Sequence, residues 1–562
     1  MKKCILAAML VCLVSCAAGF SQTGPDSDQK LASDFWAWRA RSAPYTGDDV
    51  PRLERPLGAQ HDWSAAGIAR QRTELAAFDE RWKKLDDPHA AIPLQVDHRL
   101  IGSALARVHW ELDVLKRWQK DPNFYIDQTL AAVGEALTIP GPFSDRQSAE
   151  IFARLNAIPQ VIAVAQQTLV APPAPFARLA IDSLADVRPK LQQMAKSLPP
   201  ATTIPAPDWQ AAAERAAAAL EGFRSWLQKA LPALPEQTAM GRENYVWFLR
   251  NVALIPLTPE ELVAQAELEW RRSLAFEEYE TNRNRAVPPL VMSPTTEALV
   301  ALNQRREAEV RAFVAQHALL TLPAWLQHYT MRPIPAYLAA FSDFVEADDF
   351  TGPSRLHQDG IRYVAPPSET AGYFWVATAM DPRLSIVHEG TVGHYGQLCI
   401  AWQNPDAIRR YFYDSSANEG IGFYAEEMML QSGLYDDSPH TREIVYNQAR
   451  LRALRVIVDV KVSLGELTQD QAAAFLEKNV PMSAANAHTE VVEMNEAPGQ
   501  KISYQVGKLQ IVKMMQEARE KQGSEFSLAK FHDFVWLNGN VPIALQRWEL
   551  LGTNDEVKRL GY

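Results

Sequence analysis

A chain of 562 residues, 47% hydrophobic and 22% charged, is long enough for a large core and too apolar to stay disordered. Its net charge of −11, with no run of Lys and Arg interleaved with aromatics, argues against nucleic acid as a partner. Of its four cysteines, Cys4, Cys12 and Cys16 lie at the extreme N-terminus, so Cys399 stands alone in the body and an internal disulfide framework is excluded.

In chain order, the first element reads as an export signal. Lys2 and Lys3 precede a short apolar run, residues 5–14, too short to span a membrane. Leu13-Val14-Ser15-Cys16 matches a bacterial lipobox, so residues 1–16 form the signal and Cys16 is the acylated residue of the mature chain. Ordinary cleavage near Ala17-Ala18-Gly19 is the other reading, and both export the protein. The expected location is the periplasm or the outer membrane, with a lipid anchor as the sole membrane attachment. Residues 17–31 read as a tether. No second apolar run approaches the ~20 residues of a membrane helix.

Residues 32–240 read as a helical region. Apolar residues recur at three- and four-residue spacing over 61–85 and 96–118. Proline-rich stretches at 171–175 and 198–207 read as loops between helices. Trp209, Ala213, Leu220, Phe223 and Leu227 are expected on one helical face. No repeat of fixed period occurs.

Residues 241–562 read as a second region. Segments 361–366 and 373–378 are rich in β-formers around a turn containing Gly372, so they are expected to form two strands, a hairpin or small sheet. Segment 385–402 reads as one helix, 416–431 as a second stopped by Gly433, and 441–463 as a third closed near Gly465. Thr468 and Gln471 fit a capping box. Further helices are expected from Ser483, Pro498 and Leu528. The expected fold class is mainly α: a multi-helix fold with a small β-hairpin or sheet beside the helix of 385–402.

A hydrolytic zinc site needs three protein ligands, an open position for water, and a carboxylate alongside to take the water's proton. The segment His388-Glu389-Gly390-Thr391-Val392-Gly393-His394 offers two imidazoles with Glu after the first. Its histidines are six apart, which in a regular helix puts them about 120° apart around the axis. Gly390 and Gly393 would permit a bulge or tightened turn that brings them together. Downstream, Glu419 and Glu426 are seven apart on one helical face. Glu419 fits a third ligand on an adjacent helix, and Glu426 fits a residue that orients a histidine. The apolar Phe423, Met428 and Met429 mark this helix as buried, where carboxylates need partners.

These residues carry a resemblance to the bacterial family catalogued as domain of unknown function 885, whose members show His-Glu-Gly-x-Pro-Gly-His-His-x-Gln and then Glu-Gly-Trp-Ala-x-Tyr-Ala-Glu. The matching residues are His388, Glu389, Gly390, Gly393, His394 and Gln397, then Glu419, Gly420, Tyr424, Ala425 and Glu426. The resemblance extends through Arg455 and Asp459, Glu490, Pro498-Gly499-Gln500, Ser503-Tyr504 with Gly507, Phe531-His532-Asp533, and Asn538-Gly539-Asn540-Val541-Pro542. It covers about the last 200 residues and implies a zinc peptidase of the glutamate-zinc type, with a metallopeptidase-like fold and residues 241–562 as its catalytic region. Val392, Tyr395, Ile421, Ser463 and Glu493 depart from the family pattern. Tyr395 stands in place of a second His, and Glu493 in place of an Arg that would anchor a peptide carboxylate.

The expected roles follow. His388, His394 and Glu419 bind Zn2+; Glu389 is the general base; Tyr504, assisted by Gln500, stabilises the oxyanion; and Glu426 orients a ligand. Arg455 and Asp459, four apart, read as an intrahelical ion pair, with a supporting role for Asp459 second. Cys399 reads as a small buried hydrophobe. The substrate is expected to be a peptide, paired with segment 373–378 as an edge strand. Two other readings remain: a catalytically silent binding protein of the cell envelope, and a metal-dependent hydrolase of a non-peptide amide.

Overall fold

The computed structural model describes residues 27–46, 53–59, 61–345 and 347–561. Cys16 and most of the expected tether lie outside the described residues. The tether's last residues do not match the expectation, because a helix, Asp28–Ser42, begins there. The Ser27 side chain caps its first turn, and Leu31 and Phe35 are buried.

The fold is mainly helical. In the first half, Asp145–Thr168 is separated from Ala174–Ser183, and Val187–Ser197 from Ala206–Ala230, by the two proline stretches, whose prolines lack an N–H donor. Trp209, Ala213, Leu220, Phe223 and Leu227 are all buried along one helix. The expected run over 96–118 breaks after Ile92–His109 and a π-helical turn, because Lys116 turns left-handed at φ 53°. The largest apolar cluster runs from Leu31 through Leu227 and also takes in Ile361, Ile408 and Leu545 from the second half.

The sheet has three short strands: β1 (Tyr329–Pro333), β2 (Asp348–Asp349) and β3 (Gly360–Val364). β3 is central, parallel to β1 and antiparallel to β2. The expected strand over 373–378 is instead a helix, Tyr373–Met380, so the hairpin and the edge strand for substrate both fall. Its β-forming composition is overridden by tertiary contacts. The Tyr373 hydroxyl donates to Asn447, and Phe374 packs under the guanidinium groups of Arg452 and Arg455 at 5.0 and 5.4 Å.

The helices that carry the candidate site come next. The expected helix over 385–402 is two, Arg383–His388 and His394–Trp402. Ser415–Ser432 ends at Gly433 and Pro439–Leu464 at Gly465, both glycines left-handed as helix C-termini prefer. The capping box of Thr468 and Gln471 is present. Ala484–Glu496, Ser503–Gln522 and Leu528–Leu537 complete the set.

Two of these helices touch backbone to backbone. A Cβ on Gly507 would lie 1.8 Å from the Ser416 carbonyl oxygen, and one on Gly420 would lie 2.5 Å from Gly507 Cα. The Ser503–Gln522 helix therefore crosses Ser415–Ser432 more closely than any side chain permits. It then places Val506 in one apolar cluster and Ile511 and Met514 in another.

Gly507→Ala should accordingly destabilise the fold by about 1–3 kcal/mol or more through overpacking. Gly222→Ala, on an exposed helical position with nothing within 4 Å of the new Cβ, should stabilise it by about 0.5–1 kcal/mol. Denaturant midpoints of the two variants check the contrast; a Gly507→Ala midpoint equal to wild type would contradict the close crossing.

Candidate metal centre

His388 ends its helix, and five residues, 389–393, separate it from His394 at the start of the next. The link is a widened turn: the Tyr395 N–H donates to the Glu389 carbonyl at 2.9 Å and the Gly396 N–H to Gly390 at 3.1 Å. Gly393 is obligatory there, since a Cβ would sit 1.7 Å from the His388 carbonyl oxygen. The turn is held from three sides. Thr391 Oγ1 donates to Glu307 at 3.0 Å, Trp536 Nε1 donates to the Val392 carbonyl at 2.9 Å, and a Tyr413–Asn418–Gln397–Asn540 side-chain chain is buried behind it.

The widened turn removes the mismatch of the six-residue spacing. The two imidazoles lie with centroids 4.7 Å apart and planes at 80°. Gly422 leaves room for both, because its Cβ would meet His388 Cε1 at 3.0 Å and His394 Cε1 at 3.1 Å. Glu419, one turn earlier on that helix, sends Oε2 to 3.4 Å from His388 Nε2 and 3.2 Å from His394 Nε2. Among the described residues, His388, His394 and Glu419 are the group of His, Cys, Asp or Glu that could hold a metal ion, with all three ligand atoms within 4.8 Å of one another.

The donor set fits a cation. All three residues are buried, and Glu419 Oε2 makes no hydrogen bond despite the two nearby nitrogens. Three donors facing a common point, instead of pairing off, is what a shared ligand position requires. A tetrahedral ion with bonds near 2.1 Å spaces its donors by about 3.4 Å, close to the observed 3.4 and 3.2 Å.

The charges around the cluster are mutually adjusted. Burial opposes a charged His388, yet the Glu419 and Glu426 carboxylates push its pKa up to about 10. Burial likewise opposes ionised Glu419 and Glu389, but the histidines hold Glu419 well below the ordinary carboxylate range. His388, His394 and Arg362 hold Glu389 down. Glu389 Oε2 lies 4.0 Å from His394 Nε2, and Glu389 Oε1 lies 3.8 Å from Arg362 Nη1. Arg362 projects from β3 and is itself held by Asp348 at 3.0 Å.

Glu426 lies where expected, with Oε1 2.7 Å from His388 Nδ1. The contact is off the line of the ring N–H, so Glu426 acts on His388 first as a charge. His394 Nδ1 has no hydrogen-bond partner among the described residues and is positioned by packing, including Phe350 at 6.5 Å edge-on. The Tyr504 ring stacks on His388 at 6.1 Å and 12°. Gln500 is buried one turn before it.

Other expectations are corrected. Arg455 does not pair with Asp459; it holds Glu490 through hydrogen bonds of 2.9 and 2.5 Å. Asp459 instead accepts the Tyr245 hydroxyl at 2.9 Å and the Gly499 N–H at 3.0 Å, which fixes the turn leading to Gln500 and Tyr504. Tyr395 faces away from the cluster. Its ring packs on Tyr329 at 5.7 Å and its hydroxyl donates to the Gln358 carbonyl, so the missing second His is not a ligand position here. Glu493 is paired with Lys501 at 3.3 Å, and Ser463 accepts the Gly241 N–H through its carbonyl. Cys399 is buried and free, as expected, its thiol pushed up to about 12 by burial. His532 pairs with the Tyr424 hydroxyl at 2.7 Å. Arg362, Glu307 and Gly422 gave no signal in sequence, because each acts through a neighbour remote in the chain.

A family profile described as "Bacterial protein of unknown function (DUF885)" matches residues 43–549. The chain belongs to this family. Its fold is shared by two solved structures. One is a candidate lipoprotein of unknown function from Shewanella oneidensis, 18% identical, with a TM-score of 0.69 over 93% of this chain and 98% of that one. The other is a candidate lipoprotein from Colwellia psychrerythraea, 15% identical, with a TM-score of 0.72 over 93% of this chain and 99% of that one. Among curated proteins, none matches. No helix of the described residues is long and apolar enough to cross a membrane.

Asp459 gives this DUF885 chain a measurable pH dependence. Burial raises its carboxyl from 3.8 to about 7 against the pull of the Gly499 N–H and Tyr245. Its contribution to stability is therefore greatest below pH 4, is lost as the pH rises from about 4 to 7 and the unfolded chain ionises first, and is level above that. The stability of Asp459→Asn relative to wild type should climb across that window and then plateau, as read by urea unfolding at half-unit intervals. A difference independent of pH would contradict the assignment.

Proposed function

We propose that the chain is an exported zinc-dependent peptidase. The observation that carries the reading is the convergence of His388 Nε2, His394 Nε2 and Glu419 Oε2, the carboxylate oxygen lying 3.4 and 3.2 Å from the two nitrogens, with the Glu389 carboxylate beside them. Zinc suits this set of two imidazoles and one carboxylate, and when bound it polarises a carbonyl and acidifies water.

The chain's own residues do the rest. Glu389 is held ionised by His388, His394 and Arg362, so it is ready to accept the proton of the attacking water and to pass it to the leaving amine. Tyr504, stacked on His388, offers a phenol O–H to the developing oxyanion, with Gln500 one turn away. Glu426 fixes His388 from behind. Tyr395 lies outside this arrangement, which removes the main departure favouring a catalytically silent protein.

Export rests on Lys2, Lys3 and the short apolar run, and attachment through Cys16 on the lipobox. The two similar structures, both described as candidate lipoproteins, support it.

Metal analysis of the purified protein should find about one zinc per chain. Glu389→Gln should keep that zinc while hydrolysis of a peptide library falls by about 10²–10⁴. A folded chain that takes up no zinc would overturn the reading. Separately, Cys16→Ser should abolish lipid labelling and move the protein to the soluble fraction; unchanged fractionation would favour ordinary cleavage near Ala17.

A further inference from the structure

Behind the metal centre lies a charge that the mechanism leaves unused. Arg452 projects from the Pro439–Leu464 helix, and its side chain is only 4% exposed. Its one carboxylate partner among the described residues is Glu426, through Nη2 to Oε1 at 2.7 Å. That same Oε1 lies 2.7 Å from His388 Nδ1. Arg452, Glu426 and His388 thus form a line from the core to the ligand cluster.

We propose that Arg452 is a positioning residue for the metal centre: it fixes the Glu426 carboxylate against His388 Nδ1, so that the Nε2 lone pair is presented to the cation. The inference rests on the zinc reading above.

Three observations carry it. The first is geometric. Glu426 Oε1 is shared between a guanidinium and an imidazole, and the guanidinium is locked: its plane is packed against Phe374, Phe423 and Tyr504 at 5.0, 5.2 and 5.7 Å. A group held by three rings places its partner more firmly than the off-line contact of Glu426 with His388 could alone. The second is charge. Glu389, Glu419 and Glu426 put three carboxylates around the two histidines, and Arg452 is the cation in contact with Glu426. Arg362, held by Asp348, lies on the Glu389 side of the cluster, so Arg452 supplies the positive charge on the Glu426 side. The third is cost. A buried arginine with a single carboxylate is expensive to desolvate and gives little net stability, so a plain structural ion pair is a weak explanation for it.

The test is zinc affinity, measured by competition with a chromophoric chelator on the full chain, with folding checked by circular dichroism. Arg452→Met should weaken zinc binding by about 10–100-fold, the usual range for groups behind a ligand. Arg452→Lys, which keeps the charge and most of the volume, should recover most of that loss. Glu426→Gln should weaken binding to a similar degree, and Arg452→Met added to Glu426→Gln should cost little more, because both act through one contact. Cobalt(II) substituted at the site should show shifted d–d bands in Arg452→Met and wild-type bands in Arg452→Lys. If Arg452→Met does not fold, Arg452→Gln, alone and combined with Glu426→Gln, gives the same non-additive pattern.

Wild-type zinc affinity and cobalt bands in Arg452→Met would overturn the proposal, as would strictly additive losses in the double variant. Both outcomes leave the zinc reading intact. A wild-type chain that binds no zinc would instead sink the proposed function, and this inference with it.

Discussion

The break between His388 and His394 is the constraint on which the rest of the site depends. An unbroken helix would point the two imidazoles about 120° apart. The five-residue turn brings their centroids to 4.7 Å, and it exists because Gly393 leaves a gap where any Cβ would collide with the His388 carbonyl. A turn that departs from the helical ladder leaves backbone groups to be satisfied elsewhere. Hence Trp536 reaches the Val392 carbonyl, while Glu307 anchors the turn through the Thr391 side-chain hydroxyl. The turn thereby recruits side chains from either end of the second half.

The same need for compensation explains the density of buried charge nearby. Glu419, Glu426 and Glu389 would each be costly to bury alone. Each is matched from a different element: Glu426 by Arg452, Glu389 by Arg362 on β3, and Glu419 by the histidines themselves. Further along the Glu419 helix, Glu427 pairs with the buried Lys508, which also holds Glu269. These pairs join the Pro259–Arg283, Ser415–Ser432 and Ser503–Gln522 helices, and the Gly420–Gly507 crossing sets how closely the last two approach. Tyr504 reaches His388 only because that approach is so close.

The helical first half serves this centre indirectly. Its apolar cluster includes residues from both ends of the chain, so the second half is packed onto it and not merely joined to it. The Arg117–Asp121–Glu496 group makes a polar link between the halves, beside the turn that carries Gln500.

Much of this was legible in the sequence, for physical reasons. Helical periodicity, glycine stops at Gly433 and Gly465, and the Thr468–Gln471 capping box are local features, and the structure bears them out. The candidate site residues were readable because His388, Glu389, His394, Glu419 and Glu426 carry chemistry at short, countable spacings. What the sequence could not decide was anything set by groups far apart in the chain. Segment 373–378 has strand composition, yet Asn447, Arg452 and Arg455 hold it as a helix. Arg455 and Asp459 have ion-pair spacing, yet Glu490 and the Gly499 N–H offered each a better-placed partner. Tyr395 occupies a motif position, yet its ring turned to Tyr329. The sequence by itself determined which side chains can donate to a metal and which helices carry them. Only the tertiary structure decided which way each one points, because that direction is fixed by contacts across hundreds of residues and by the few places where a glycine lets two backbones meet.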